Sequence, residues 1–180
     1  MPLYLVRHAP VALNGTCYGQ INVATAVTAE NAVNSVKTQL LSEPMPDTVW
    51  SSPLLRCLEL ANAYSDAVCC DPRLMEANFG LWEGMRWDDI YEQYPLEMAQ
   101  WGENWIDVPP PEGESAAMVQ ARLESFAFSL EAGIHLGFSH AGVIRAARVS
   151  LGGCSWADAM SRPVPYLSFE RFQIPVDKAA

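Results

Sequence analysis

Three short apolar runs along the chain, in PLYLVRHA, DTVWSSPLLR and GIHLGFSHAG, each end in polar, chemistry-bearing residues and pass into a helix or turn signal. Short apolar runs bounded by breakers read as buried strands of a mostly parallel sheet. Positions 28–41, 54–66 and 114–132 space their apolar residues as amphipathic helices. Strand and helix therefore alternate, which predicts an α/β layered fold. Residues 75–111, rich in Trp, Tyr, Gly and Pro, predict only short helical pieces near 87–94 and 96–105. They read as a small insertion folding over one end of the sheet. VPPPEGES is a turn-rich entry to the third long helix, and VPYLSFERFQI alternates apolar with polar residues as an edge-like last strand does.

Composition changes this picture little and narrows the partners. The 180 residues fit a single domain, 1–180, and a chain of this size buries roughly 70% of its unfolded surface without crosslinks. A formal net charge of −10 leaves no basic surplus for nucleic acid or an anionic membrane, so neither is expected as a partner. Five cysteines without CxxC spacing suggest neither a disulfide framework nor a zinc site. No leader pattern and no membrane-length apolar run are present, and a reducing cytoplasm is the expected location. An oligomeric state of monomer or homodimer is left open.

The chemistry gathers at strand ends. Ligands of open parallel sheets sit beyond the carboxyl ends of the strands, and Arg7, His8, Ser51, Ser52, Ser139 and His140 all fall there. With Arg56 on the first turn of the helix after TVWSSP, two Arg and two His form a cationic cup suited to a phosphoryl group. Guanidinium forks pair with its oxygens. Neighbouring Arg charges also keep an imidazole neutral and nucleophilic, so one histidine can attack phosphorus directly without a metal. Each of these residues has a plainer reading: a lone histidine is usually a structural hydrogen-bonder, as expected of His135, and Glu76 alone is a surface carboxylate. Tyr18, Trp82, Trp101 and Trp105 either wall a pocket or form the insertion's mini-core. Arg145, one turn into the helix after His140, is read as a salt-bridge former, with the pocket rim as its alternative.

Four stretches in order, LVRHA, SSPLLR, EANFGLWEG and SHAGVIR, make the chain resemble the histidine phosphatase superfamily, also called phosphoglycerate mutase-like. The resemblance implies a three-layer α/β/α sandwich around a mostly parallel sheet, with the insertion covering the active site. It also implies roles. His8 would be the phosphorylated nucleophile, Arg7, Arg56 and His140 would bind the phosphoryl oxygens, and Glu76 would be the general acid and then base. Asn14, Tyr18, Trp82 and Ala141 would contact substrate, and Glu83 would be structural. No metal or other cofactor is implied, and the partner is a small phosphorylated alcohol. The compact insertion favours hydrolysis over mutase transfer. CYGQINV and the Arg-His-Ala-Pro opening further resemble the bacterial members that act on α-ribazole 5'-phosphate. Ala9 stands where the wider family has glycine, and Ile21 and Asn22 depart from the subfamily stretch, which keeps open a broader sugar or small-molecule phosphatase, a mutase-type phosphotransferase and a noncatalytic phosphate-binding module.

Overall fold

Leu3 and Leu5 point to one side of the first strand and Tyr4 and Val6 to the other, and all four are buried. Such a strand must be covered on both faces. In the computed structural model, which describes residues 1–175, β1 (Pro2–Arg7) is so covered: Leu3 and Leu5 join one apolar cluster, Tyr4 and Val6 another. The other elements, in chain order, are α1 (Ala29–Leu40), β2 (Thr48–Ser51), α2 (Leu55–Tyr64), β3 (Val68–Cys70), α3 (Trp87–Gln93) and α4 (Pro95–Asn104). After these come α5 (Ala116–Phe128), β4 (His135–Ser139), α6 (Ala141–Ser150), α7 (Trp156–Ser161) and β5 (Phe169–Gln173).

The sheet runs β3-β2-β4-β1-β5, with β5 antiparallel at one edge and every other pairing parallel. Helices α1 and α2 pack on the Tyr4 and Val6 face through Ala32, Val33, Val36, Cys57 and Leu60. The opposite face is covered by α5 and α6 through Leu123, Phe126, Val143 and Ile144. The result is the three-layer α/β/α sandwich with a mostly parallel sheet. Among the described residues no helix is long and apolar enough to cross a membrane.

Register is what matters for the site. Arg7 pairs with Ser139, and the His8 N–H donates to the Ser139 carbonyl at 3.1 Å. Two histidines far apart in sequence therefore emerge side by side from adjacent parallel strands. The insertion folds over this end on its own small core of Cys17, Trp82, Ile90 and Met98.

Helix starts follow their caps: Thr28 Oγ1 accepts from Asn31 N–H, and Ser115 Oγ from Met118 N–H. Helix α2 has no cap of its own. Asn22, from a distant loop, accepts the Leu55 N–H at 3.0 Å. Two expected helices end early. Ser65 turns extended after Tyr64, and Ser129 Oγ donates back to the Phe126 carbonyl, closing α5 at Phe128. Two elements, β3 and α7, were not expected, since each is too short for a periodicity to register.

Candidate active site

Above the carboxyl ends of β1 and β4 lies a cavity of about 380 Å³, with Arg7 and His8 at its base and Glu76 and Gly142 beside them. Tyr18, Phe79, Trp87, Trp101, Trp105 and Trp156 form aromatic walls. His8 sits immediately after β1 and is buried. Its Nδ1 lies 2.7 Å from the carbonyl of Ala9. A carbonyl only accepts, so Nδ1 carries the proton and the neutral ring keeps its lone pair on Nε2. Burial pushes the His8 pKa down to about 3. The Ala9 carbonyl opposes the shift, and the charges of Arg56 and Arg7 add to it.

His140 lies one strand away, its ring centroid 5.1 Å from that of His8. It is wholly buried behind the cavity surface, with Nε2 2.9 Å from Ser52 Oγ and the Cys57 sulfur 3.3 Å away. Burial holds its pKa well below the ordinary value, reinforced by Arg56 and His8. Cys57 donates its thiol to the Ser139 carbonyl, and burial raises its pKa. This polar triad ties β4 to the loop after β2.

The two arginines of the expected cup are placed differently from one another. Arg7 lines the cavity, donates to the Val164 carbonyl and stacks 3.6 Å from the Tyr166 ring centroid. Tyr166 in turn lies 5.6 Å from His8 and shares a 3.2 Å hydrogen bond with Tyr18. It is a site residue that sequence reasoning missed, because only its place before an edge strand marked it. Arg56 is buried behind the base of the cavity. Its guanidinium donates to the carbonyls of Gly19 and Ile21, and its Nε has no partner. It therefore acts on both imidazoles as a charge from behind, instead of lining the cavity as expected.

Glu76 is held from both ends. Its carboxylate accepts the Ala77 N–H at 3.1 Å and the Gly142 N–H at 3.2 Å, and its carbonyl accepts from Gln20 and Arg122. The absence of a side chain at Gly142 leaves room for this, because a Cβ there would overlap the Glu76 carboxylate and displace it. Arg122 is braced by its ion pair with Glu114 at 2.9 Å; neither was singled out from sequence. Glu83 accepts backbone N–H groups from Gly19, Gln20, Ile21 and Phe79. It joins the insertion to the loop under Arg56, the structural part expected of it. His135 also has a structural place, between the Trp50 indole N–H and the Glu131 carbonyl.

Three expected substrate contacts are not at the cavity, whereas Tyr18 is. Trp82 is fully buried in the insertion's core, with Trp101 at 5.6 Å and Tyr94 at 6.5 Å. Its place in the wall is taken by Trp87, which stacks on Trp101. Asn14 is exposed on the loop after β1, while Thr16 reaches the cavity. Ala141 is buried in the first turn of α6 and its neighbour Gly142 lines the cavity instead. Arg145 forms no ion pair among the described residues and lines the cavity, contrary to the expected salt bridge. Among the described residues no group of three His, Cys, Asp or Glu side chains is placed to hold a metal ion.

A two-histidine, two-arginine site at the end of a mostly parallel sheet, under a helical insertion, defines a phosphoglycerate mutase-like α/β protein. Sequence comparison matches residues 3–179 to the histidine phosphatase superfamily (branch 1), and the chain belongs to that family. Phosphoserine phosphatase 1 of Hydrogenobacter thermophilus is 32% identical over 130 residues, 69% of this chain; the matched part spans 61% of that relative's length. The α-ribazole phosphatase of Shigella flexneri superposes with a TM-score of 0.85 at 24% identity, covering 97% of this chain and 91% of that one. A phosphoserine phosphatase variant from Entamoeba histolytica, solved with phosphoserine, gives 0.80 at 19% identity, with 96% and 90% covered. These two likenesses speak for the fold.

Proposed function

We propose that the protein is a metal-independent phosphomonoesterase that works through a phosphohistidine on His8. The observation that carries this reading is the His8 tautomer. With Nδ1 donating to the Ala9 carbonyl and burial keeping the ring neutral, Nε2 is an unprotonated nucleophile at the base of the cavity beside Arg7. Nε2 attacks phosphorus, the P–O ester bond breaks, and its electron pair leaves on the alcohol oxygen, which takes a proton from the Glu76 carboxyl group. Water then attacks the phosphohistidine, giving its proton to the Glu76 carboxylate, and His8 leaves as the neutral ring. Arg7 binds phosphoryl oxygens, while Arg56 and His140 stabilise charge from behind.

The lead substrate is α-ribazole 5'-phosphate, hydrolysed to α-ribazole in assembly of the cobalamin nucleotide loop. Supporting it are the CYGQINV stretch and an aromatic wall of Tyr18, Trp87, Trp101 and Trp105, which suits a planar base. The alternative is a broader sugar or small-molecule phosphatase. The five free cysteines support a reducing cytoplasm.

The test is a trapped intermediate. Wild-type protein quenched in alkali during turnover should carry phosphate on His8 by peptide mass spectrometry, and EDTA should leave the rate intact. His8→Ala should lose both the label and turnover of p-nitrophenyl phosphate. Full activity in that variant removes His8 as nucleophile. Phosphate release compared across α-ribazole, sugar and nucleotide phosphates tests the substrate; a sugar phosphate leading by tenfold would discard the ribazole reading.

A further inference from the structure

The segment 164–168, between α7 and β5, meets Arg7 through both its backbone and its side chain. The Arg7 N–H donates to the Ser168 carbonyl at 3.0 Å, the Arg7 carbonyl accepts the Leu167 N–H at 3.1 Å, and Nη1 donates to the Val164 carbonyl. The Tyr166 ring covers a face of the guanidinium, its centroid 3.6 Å from Cζ. The segment is anchored on both sides of the sheet: Val164 is buried in the apolar cluster under α5 and α6, and Leu167 packs against the one under α1 and α2. Leu167 holds a φ of 61°, a left-handed conformation unfavourable for a residue with a side chain. Such strain persists only where the surroundings impose it.

An arginine side chain is long, and a single hydrogen bond leaves its guanidinium free to turn. The Arg7 Nε is buried without a hydrogen-bond partner among the described residues, so no second bond from Nε fixes the plane. The Tyr166 ring does. An aromatic face attracts a guanidinium without using its N–H groups, which lie in the guanidinium plane. The donors that Val164 does not take are therefore left, in a fixed plane, for phosphoryl oxygens. Tyr166 is itself held at its far end, where its hydroxyl shares a 3.2 Å hydrogen bond with Tyr18. Its ring also lies 5.6 Å from that of His8, so the plane is set beside the nucleophile. Charge gathers on the phosphoryl oxygens as the group passes to His8, and donors aimed beforehand act most strongly at that point.

We propose that Tyr166 is a positioning residue of the phosphoryl transfer, its ring face holding the Arg7 guanidinium in the orientation that the transition state requires. Arg7 lines the cavity and Tyr166 stands behind it, so the effect passes through the arginine. The connection before an edge strand is thereby part of the catalytic apparatus. This rests on the reading of His8 and Arg7 as the phosphoryl site.

Tyr166→Phe keeps the ring face and should hold kcat/KM for p-nitrophenyl phosphate within about threefold of wild type. Tyr166→Leu removes the face, and kcat should fall about 10- to 30-fold, the loss of a partly desolvated cation–π contact, with KM changed less. Inhibitors separate transition state from ground state. In Tyr166→Leu the Ki for orthovanadate, which adopts the five-coordinate geometry of transfer, should rise by the same factor, and that for inorganic phosphate by less than about threefold. In an Arg7→Gln background Tyr166→Leu should cost less than about threefold, because its route of action is gone. Pentafluorophenylalanine in place of Tyr166 keeps the shape of the phenylalanine ring and reverses the charge of its face. It should fall below Tyr166→Phe as the leucine variant does, and it reads the same effect where the leucine variant fails to fold. Equal losses toward vanadate and phosphate, or an undiminished loss in the Arg7→Gln background, overturn the proposal. Variants equal to a wild type that hydrolyses p-nitrophenyl phosphate overturn the Tyr166 assignment alone. A wild type that neither hydrolyses that ester nor binds vanadate overturns it together with the phosphoryl-site reading.

Discussion

A histidine that must attack phosphorus has to be unprotonated, and here two imidazoles are kept so by burial before any charge is counted. That arrangement has a cost in acid. Both groups have folded pKa values below the ordinary 6.5, down to about 3 for His8. As pH falls below about 6.5 the unfolded chain takes up protons that the folded one does not, so stability declines, each histidine contributing up to about 1.4 kcal/mol per pH unit. Tm should fall from pH 6.5 to 5, and His8→Gln should shallow that slope; a Tm independent of pH over this interval would contradict the burial argument. At the same scale, Glu76→Gln should lower kcat for alkyl phosphates by about 10²- to 10⁴-fold and affect p-nitrophenyl phosphate much less, because p-nitrophenolate leaves without protonation. Equal losses for the two would take the acid role from Glu76.

The elements carry these residues by closures that no single motif contains. Helix α6 begins with Ala141 and Gly142 against Glu76, so Gly142→Ala should displace the carboxylate and reproduce the leaving-group dependence of Glu76→Gln while the fold persists. Circular dichroism and the ratio of alkyl to aryl ester rates check this together. Asn22 accepts the Leu55 N–H at the start of α2 through its side-chain oxygen, a bond that an aspartate at this position would also make. Asn22→Ala should cost about 1 kcal/mol in denaturant unfolding. Sequence reasoning located α1, α2, α5 and the strands around them because their apolar spacing is periodic over several turns. It missed β3, whose three residues include two exposed cysteines, and α7, whose six residues bury only Ala159.

For the whole molecule, Glu83 and Trp82 show how the insertion is fastened to the sandwich. Glu83 gathers four backbone N–H groups from two separate segments, so Glu83→Ala should destabilise by about 3 kcal/mol or more and lower activity through the loop that Arg56 holds. Trp82→Ala should cost about 3–5 kcal/mol as a core truncation. KM for a surviving Trp82 variant should move less than for Trp87→Ala, since Trp87 and not Trp82 lines the cavity.

What the sequence determined by itself was local: buried runs that had to be strands, periodic segments that had to be helices, and reactive residues placed at strand ends by motifs short enough to read. Arg7 and His8 reach the cavity from the end of β1, and Tyr18 and Glu76 from loops whose motifs marked them. The tertiary structure alone decided what depends on two distant segments meeting. The β1–β4 register set His8 beside His140, the loop at Gly19 and Ile21 drew Arg56 behind the cavity, and Tyr166 came to lie under Arg7. It likewise turned Trp82 into the insertion's core and Trp87 toward the cavity, and left Arg145 lining the cavity with no ion pair among the described residues. The physical reason is that propensity and patterning act along the chain over a few residues. The direction a side chain takes in a packed site is set by neighbours across it.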